Sequence, residues 1–367
     1  MKYFLIAGEA SGDLHASRLI KAIREKDQNA IFRFMGGDLM KEAAGVEPVV
    51  HYKEMAYMGL FEVLANLPLI RRNFKKIEQE AEDFNPDAVI PVDYPGFNLR
   101  MAKRLKSRKF KIFYYISPKL WAWNENRVEI IRRYVDKLFV ILPFEVEFYR
   151  KHGIEVEYVG NPVKEAVEDF LNRNMQSKIR VSEKPLVALL PGSRQQEIRR
   201  MLPVMSGLPA LFPEYDFVIA GAPSLPESLY RQYLGNAPIP VFFNQTYAIL
   251  NSARAAVVTS GTATLETALF NVPQVVGYRT GSLQYHLGKR IVKISYFSLV
   301  NLILNRDVVP ELLQNEFNLT NIQKHLAGIL SGKEHEKMLK DYRKLSRVIG
   351  PQSASSKVAQ RIIDMLD

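Results

Sequence analysis

The six residues GEASGD, Gly8 to Asp13, end a short hydrophobic run on small and acidic side chains. Residues of these types suit a site built from backbone. Gly8 and Gly12 let the chain turn tightly, and Ser11 or Asp13 can cap a following helix, whose free first-turn N–H groups attract an anion or sugar hydroxyls. The same turn would also open any ordinary α/β domain. Two familiar nucleotide sites do not fit. A Walker loop ends in GK[ST], and a dinucleotide fingerprint reads G-x-G-x-x-G with an acid ending the second strand. GEASGD has neither ending, and the second apolar run, Ile31 to Met35, passes into Gly36 and Gly37 before Asp38. An ATPase or a dehydrogenase is therefore not expected.

The elements around this turn repeat. Apolar strand patterns at Lys2–Ala7, Ile31–Met35, Ala88–Val92, Lys111–Ile116 and Lys137–Leu142 alternate with helical spacing. The alternation continues at Leu186–Leu190, Asp216–Ala220, Ala255–Thr259 and Gln274–Val276. This rhythm predicts α/β structure with parallel sheets covered by helices on both faces. It breaks once, between Val159 and Leu186, so each half has its own opening strand and glycine turn. The expected organisation is a first domain over 1–165, a linker over 166–185, a second domain over 186–345 and a terminal helix over 346–367. That helix could cross back to the first domain or exchange with a partner chain in a homodimer.

Ligands of open α/β sheets bind outside the carboxyl ends of the strands. In the first half those positions hold GEASGD, VDYPGFN (Val92–Asn98) and SPKLWAW (Ser117–Trp123). In the second they hold PGSR (Pro191–Arg194), SGTATLE (Ser260–Glu266) and GYR (Gly277–Arg279).

The 367 residues suffice for two domains, each with its own core, and 47% hydrophobic content marks a globular chain. With no cysteine there is no disulfide, zinc–thiolate site or thiol nucleophile, and the six histidines show no paired metal spacing. No apolar run reaches the roughly 20 residues of a membrane span, and the first is too short for a signal peptide, so a cytoplasmic protein is expected. Fifty Lys and Arg against 39 Asp and Glu give +11, which favours an anionic partner. The apolar stretch Met55 to Ile70, with Met58, Leu60, Phe61, Leu64 and Leu67, runs into Arg71, Arg72, Lys75 and Lys76. An apolar patch with a basic border is the pattern of an interfacial membrane element, whereas a nucleic-acid site would interleave stacking aromatics. A core helix with a solvated end gives the same pattern.

Taken in order, AGEASGD, MGLFEVL, VDYPGFN, YYISPKLWAW, PFE, LLPGSR, SGTATLE, VVGYR and NLI resemble the lipid-A-disaccharide synthases over nearly the whole chain. The resemblance implies a GT-B architecture, two Rossmann-like domains with parallel sheets facing a central cleft, acting without metal or other cofactor. It implies an inverting glycosyl transfer from UDP-2,3-diacylglucosamine to 2,3-diacylglucosamine 1-phosphate (lipid X), giving lipid A disaccharide 1-phosphate and UDP. The enzyme would work peripherally on the inner face of the inner membrane of a Gram-negative bacterium, binding no nucleic acid. Met55 to Lys76 would then draw lipid from an anionic surface.

The resemblance also implies roles for residues. Asp93, at a strand's carboxyl end, is the candidate base, although it could instead cap a helix beginning near Phe97. Arg194 is assigned to the diphosphate, Ser260, Gly261 and Thr262 to a helix N-terminus facing it, and Glu266 to the ribose hydroxyls. Arg279 and Asn301 are placed with the donor or as loop supports, and Glu9, Ser11, Gly12 and Asp13 on the acceptor side. Asn161, where relatives often carry histidine, receives no role, and His15 is not taken as the base. Packing is preferred over sugar stacking for Trp121 and Trp123. The rival readings are another GT-B UDP-sugar enzyme of the UDP-N-acetylglucosamine 2-epimerase kind, and a non-enzymatic basic protein binding lipid or RNA.

Overall fold

A computed structural model describes residues 1–367 except 56–66, 124, 175–176, 282–294 and 351–352. The chain divides into two compact units, Met1–Pro162 with Gln352–Asp367, and Val163–Pro351. In the first unit, β1 (Lys2–Ala7), β2 (Ile31–Gly36), β3 (Val50–His51), β4 (Ala88–Val92), β5 (Phe113–Tyr115), β6 (Lys137–Val140) and β7 (Glu157–Tyr158) form one parallel sheet. Its strand order is β3-β2-β1-β4-β5-β6-β7. In the second, β8 (Leu186–Leu190), β9 (Asp216–Gly221), β10 (Val241–Phe243), β11 (Ala253–Thr259), β12 (Gln274–Tyr278) and β13 (Glu311–Leu313) form another, ordered β10-β9-β8-β11-β12-β13. Counted within its own unit, each sheet starts 3-2-1-4-5-6, the doubly wound Rossmann order. Such sheets bind ligands where the order reverses, here between β1 and β4 and between β8 and β11.

The nine strands expected from apolar patterning all form within a few residues of their expected bounds. The four without a sequence signal, β3, β7, β10 and β13, are the edge strands of the two sheets. Each is only two or three residues long. An edge strand pairs on one side only, so it needs no continuous apolar run, and shortness also limits unwanted pairing.

Parallel strands buried on both faces must be apolar throughout, which β4 (AVIPV) and β8 (LVALL) are. Along β4 and just past it, Val89 and Asp93 donate to the carbonyls of Lys111 and Tyr115, while Pro91 between them has no N–H for the ladder. The register sets Ala7, Val92, Tyr115 and Phe139 level across four neighbouring strands, so the residues just beyond them share one edge.

Residues 162–174 are helical, covering the start of the stretch expected as a linker. The helix Ala354–Leu366 belongs to the first unit, where Ala354, Val358, Ala359 and Ile362 join the core of β1 and β4. Lys357 Nζ donates to the Tyr158 carbonyl at 2.7 Å, and Arg361 Nε to Glu157 at 3.0 Å. This helix thus covers a sheet face that would otherwise be wet. Ile362→Ala is expected to lower stability by about 2–5 kcal/mol, whereas Val348→Ala, on an exposed helical position of the other unit, changes it by less than about 0.5. Urea unfolding of the two variants checks the contrast.

Candidate active site

The carboxyl edge of the first sheet begins at GEASGD. The helix opens at Ala10 with Glu9 as its N-cap residue, whose side chain makes no capping bond; Ser11 Oγ donates to Glu9 Oε1 at 3.0 Å. The expectation that Ser11 or Asp13 caps this helix is corrected. Asp13 is buried, and its carboxylate accepts from the N–H groups of Gly37, Leu39 and Met40 at 2.7, 3.1 and 3.2 Å. It therefore caps the next helix, Asp38–Ala44, binding the turn after β2 to the turn after β1. Gly12 lies against Ala7 and the Val92 carbonyl. At Gly8 a side chain would meet the Tyr94 ring at 2.0 Å, so glycine is needed for close approach as well as for turning.

Across the switch point, Asp93 directly follows β4. Asp93 and Tyr94 both have φ of +47°, and Ile116, just past β5, has φ of +65°. Left-handed backbone is uncommon outside glycine and a real outlier for a β-branched residue, so three such residues at one sheet edge mark strain held by its surroundings. The restraint is visible. Asn98 Nδ2 donates to the carbonyls of Ile6, Val92 and Asp93 at 3.2, 3.1 and 2.7 Å, and the Tyr114 hydroxyl donates to the Asp93 carbonyl at 2.6 Å. The helix after Asp93 begins at Pro95, earlier than the expected Phe97, with Tyr94 at its N-cap.

Burial pushes the Asp93 carboxyl up to about 6, assisted by the negative charge of Glu9 and opposed by Lys119 and a hydrogen bond from the Tyr94 N–H. Asp93 is thus a carboxylate whose proton affinity lies near neutrality. His15 moves the other way. Burial and then the Arg18 charge lower it to about 4, leaving a neutral imidazole whose buried Nδ1 has no hydrogen-bond partner among the described residues.

Beyond β5 and β6, a residue without an assigned role joins this edge. Glu145 is buried, which pushes its carboxyl up to about 7 against hydrogen bonds from the Leu142 N–H, the Trp121 indole and the Ile141 N–H. Trp121 also meets Phe144 edge-on, its centroid 4.9 Å away, so it is held by packing and by its N–H. Asn161 is buried and donates to the Ile141 carbonyl, a structural bond at the end of β7.

In the second unit the loops after β8, β11 and β12 leave neighbouring strands, with Leu190, Val258 and Val276 level in register. Arg194 is exposed at the N-cap of the helix Gln195–Met205. Glu197 fixes its backbone by accepting from the N–H groups of Ser193 and Arg194 at 2.8 and 3.1 Å. The turn needs Gly192, at φ +115°, because a Cβ there would strike Glu197 at 2.4 Å. Gly261 is the N-cap of the helix Thr262–Leu269, so the helix begins two residues later than Ser260. Ser260 Oγ donates to the Phe297 carbonyl at 2.6 Å. Glu266 accepts from the Tyr247 hydroxyl at 3.0 Å, and burial raises its carboxyl against that bond. Arg279 follows β12 and is half-buried.

Asn301 is fully buried, with all its hydrogen-bonding capacity engaged. Its Nδ2 donates to the Val309 carbonyl and Glu311, and its Oδ1 accepts from the N–H groups of Val308 and Val309. Glu311 in turn accepts from the N–H groups of Phe297 and Ser298. Asn301 holds this loop from inside.

Met58, Leu60, Phe61 and Leu64 lie outside the described residues. Leu67 opens the helix Leu67–Phe84, on which Asn73, Phe74, Ile77 and Ala81 are buried while Arg71, Arg72, Lys75 and Lys76 are exposed. Among the described residues no helix is long and apolar enough to cross a membrane, and no group of three His, Asp or Glu is placed to hold a metal ion.

Sequence reading missed Asn98, Tyr114, Glu145 and Glu197 as parts of the site. Glu197, at N3 of its helix, had a local signal in its capping spacing. Glu145 had the same signal, at N3 of the helix Pro143–Lys151, while Asn98 and Tyr114, inside VDYPGFN and YYISPKLWAW, act through bonds to other strands that spacing does not show.

The lipid-A-disaccharide synthetase family model matches residues 3–362. The lipid-A-disaccharide synthase of Myxococcus xanthus is 38% identical over 378 residues, covering 100% of this chain and 97% of its own. Among solved structures, the UDP-GlcNAc 2-epimerase of Neisseria meningitidis bound to UDP-GlcNAc has a TM-score of 0.63 at 13% identity, over 100% of this chain and 99% of its own. The glycotransferase of kitacinnamycin has a TM-score of 0.66 at 13% identity, with the same coverage. At such identities the structural likeness is one of fold.

The raised Asp93 carboxyl makes stability depend on pH with a definite sign. Its proton binds more tightly in the folded state, so ionisation opposes folding; that penalty is absent below the unfolded value near 4 and complete above about 6. Asn tolerates a left-handed backbone, so Asp93→Asn keeps the turn and removes the penalty. The variant should be more stable than the parent at pH 7.5 by up to about 3 kcal/mol, and the gain should vanish near pH 4. Thermal melts across this range would read it.

Proposed function

The chain belongs to the lipid-A-disaccharide synthetase family, and from that premise we propose how its residues divide a glycosyl transfer between the two sheets. It is a glycosyltransferase of lipid A disaccharide synthesis, with a UDP-sugar donor and lipid X as acceptor. The 6-hydroxyl oxygen of 2,3-diacylglucosamine 1-phosphate attacks C1 of UDP-2,3-diacylglucosamine, forming the C1–O6 bond. The bond from C1 to the diphosphate oxygen breaks, UDP leaves with its electron pair, and inversion follows from attack opposite the leaving group.

Asp93 takes the hydroxyl proton. The observation that carries this reading is its clamped turn at the β1/β4 switch point together with a carboxyl pushed up to about 6: ionised at neutral pH, yet basic enough to accept a proton as the new bond forms. Glu9 adds to that basicity. Gly12 allows the close approach of the first helix, while Ser11 and Asp13 fix the loop in which acceptor hydroxyls are received.

The donor falls to the second sheet. The first-turn N–H groups of Thr262–Leu269 with the Arg194 guanidinium meet the diphosphate, whose charge grows as UDP departs. Glu266 accepts from ribose hydroxyls, exchanging the Tyr247 bond for them. Ser260 and Asn301 hold the flanking loop in place, and Arg279 adds positive charge at the same edge.

Arg71, Arg72, Lys75 and Lys76 give the helix Leu67–Phe84 a cationic outer face suited to anionic headgroups, each worth ~1 kcal/mol near a surface. This supports a peripheral position at the membrane from which both acylated substrates come.

Asp93→Asn is expected to lower kcat at least ~100-fold while leaving UDP affinity nearly intact. Glu266→Ala should instead weaken UDP binding by ~1.5–3 kcal/mol. Steady-state rates and UDP titration calorimetry on both variants check this division; equal UDP affinities would contradict it. At the membrane, Arg71→Ser with Lys75→Ser should remove the part of vesicle binding that high salt already suppresses, with no change in melting temperature. Sedimentation with phosphatidylglycerol vesicles at two salt concentrations measures it.

A further inference from the structure

The helix Pro143–Lys151 follows β6 and makes three contacts with the turn that follows β5. Ser117 Oγ and the Tyr149 hydroxyl are hydrogen-bonded at 2.7 Å, the Trp121 indole N–H donates to Glu145 at 3.2 Å, and the Trp121 ring packs edge-on against Phe144. Between these two fastenings lies Lys119, exposed to solvent. The turn starts from strained backbone at Ile116, whose N–H donates to the Phe139 carbonyl on β6, and such a conformation persists only where its neighbours enforce it.

We propose that Glu145 is a positioning residue for the transfer reaction: by holding Trp121 it fixes the Ser117–Trp121 turn so that the Lys119 ammonium stands beside Asp93. The proposal rests on Asp93 as the base. Glu145 suits the task because its other oxygen is engaged by the Ile141 and Leu142 N–H groups, which orient the carboxylate from the main chain. The charges around the two carboxylates fit it too. Lys119 lowers the proton affinity of both Asp93 and Glu145, and Glu9 raises that of Asp93. Tyr149 and Tyr158, the ionisable neighbours of Glu145 on its own helix and on β7, are pushed up by burial and remain neutral phenols, as does Tyr114 beside Asp93. The geometry joins this turn to Asp93 through β5: the Asp93 N–H donates to the Tyr115 carbonyl at 3.0 Å and the Tyr114 hydroxyl to the Asp93 carbonyl at 2.6 Å, so the turn that leaves β5 and carries Lys119 starts beside Asp93.

The test is the pH dependence of kcat/KM of the full-length enzyme with UDP-2,3-diacylglucosamine and 2,3-diacylglucosamine 1-phosphate. Trp121→Phe removes the donated hydrogen bond and leaves Glu145 itself; Glu145→Gln breaks the same bond, because its one amide oxygen cannot serve both the main-chain N–H groups and the indole. Both should move the acid limb to higher pH by roughly half a unit, less than an unscreened neighbouring charge would give. Lys119→Met should move it the same way, and adding Trp121→Phe to Lys119→Met should give no further shift. A purely structural Glu145 would lower the melting temperature and the rate without moving the limb, and an unmoved limb in folded Trp121→Phe overturns the proposal. If Glu145→Gln does not fold, Trp121→Phe alone decides. Asp93→Asn is the control: an acid limb surviving in its residual activity removes Asp93 as the base and the proposal with it, whereas a limb abolished by Asp93→Asn but indifferent to Trp121→Phe faults the proposal alone.

Discussion

A single side-chain amide, that of Asn98, governs the carboxyl edge of the first sheet. Its nitrogen is shared among the carbonyls of Ile6, Val92 and Asp93, the ends of two adjacent strands and the first residue beyond them. A chain leaving a buried strand must turn without stranding its polar backbone groups. Here the turn runs through two consecutive left-handed residues, and Asn98 with Tyr114 supplies hydrogen bonds that make that conformation tolerable. The backbone conformation of Asp93 follows from this clamp.

The same logic of buried acceptors spreads along the edge. Asp13 satisfies three N–H groups of a helix that is not its own, and Glu145 satisfies the backbone before its own helix while reaching to Trp121. Burying a carboxylate is unfavourable unless hydrogen bonds or positive charge offset it. Asp93 and Glu145 keep part of that penalty, which is why both are raised toward neutrality. The second sheet solves a related problem differently. Its loops present Arg194 and the start of the helix Thr262–Leu269 on neighbouring strands, while Asn301 and Glu311 consume the polar groups of the loop behind them.

Both sheets share one strand order, so each has one reversal point, and the residues with chemical interest gather there. GEASGD and Asp93 flank the first, PGSR and SGTATLE the second. Between strands of opposite crossover direction the helices part, leaving backbone N–H groups and strand-end side chains open to a ligand. Transfer of a sugar between two lipids needs a base for one hydroxyl and cationic groups for one diphosphate, and the proposed division of labour gives one of these sets to each reversal point.

The sequence by itself determined the two-unit α/β class, the nine interior strands and the loops that follow them, because a strand buried on both faces must be apolar along its whole length and turns need glycine and proline. Ordered motifs identified the family. The edge strands were not legible, since two or three half-covered residues leave no periodic trace. Nor could sequence show that Asp13 caps the helix after β2, that Asn301 is spent on its own loop, or that Asn98, Tyr114 and Glu145 shape the surroundings of Asp93. Several of those relations join residues distant along the chain, Asp13 to Gly37, Asn98 to Ile6 and Glu145 to Trp121 among them, and the shift in Asp93's proton affinity comes from burial and from Glu9 and Lys119 on other loops. Residue type and spacing encode what a segment can form; which buried group meets which partner is decided only when the strands are set side by side.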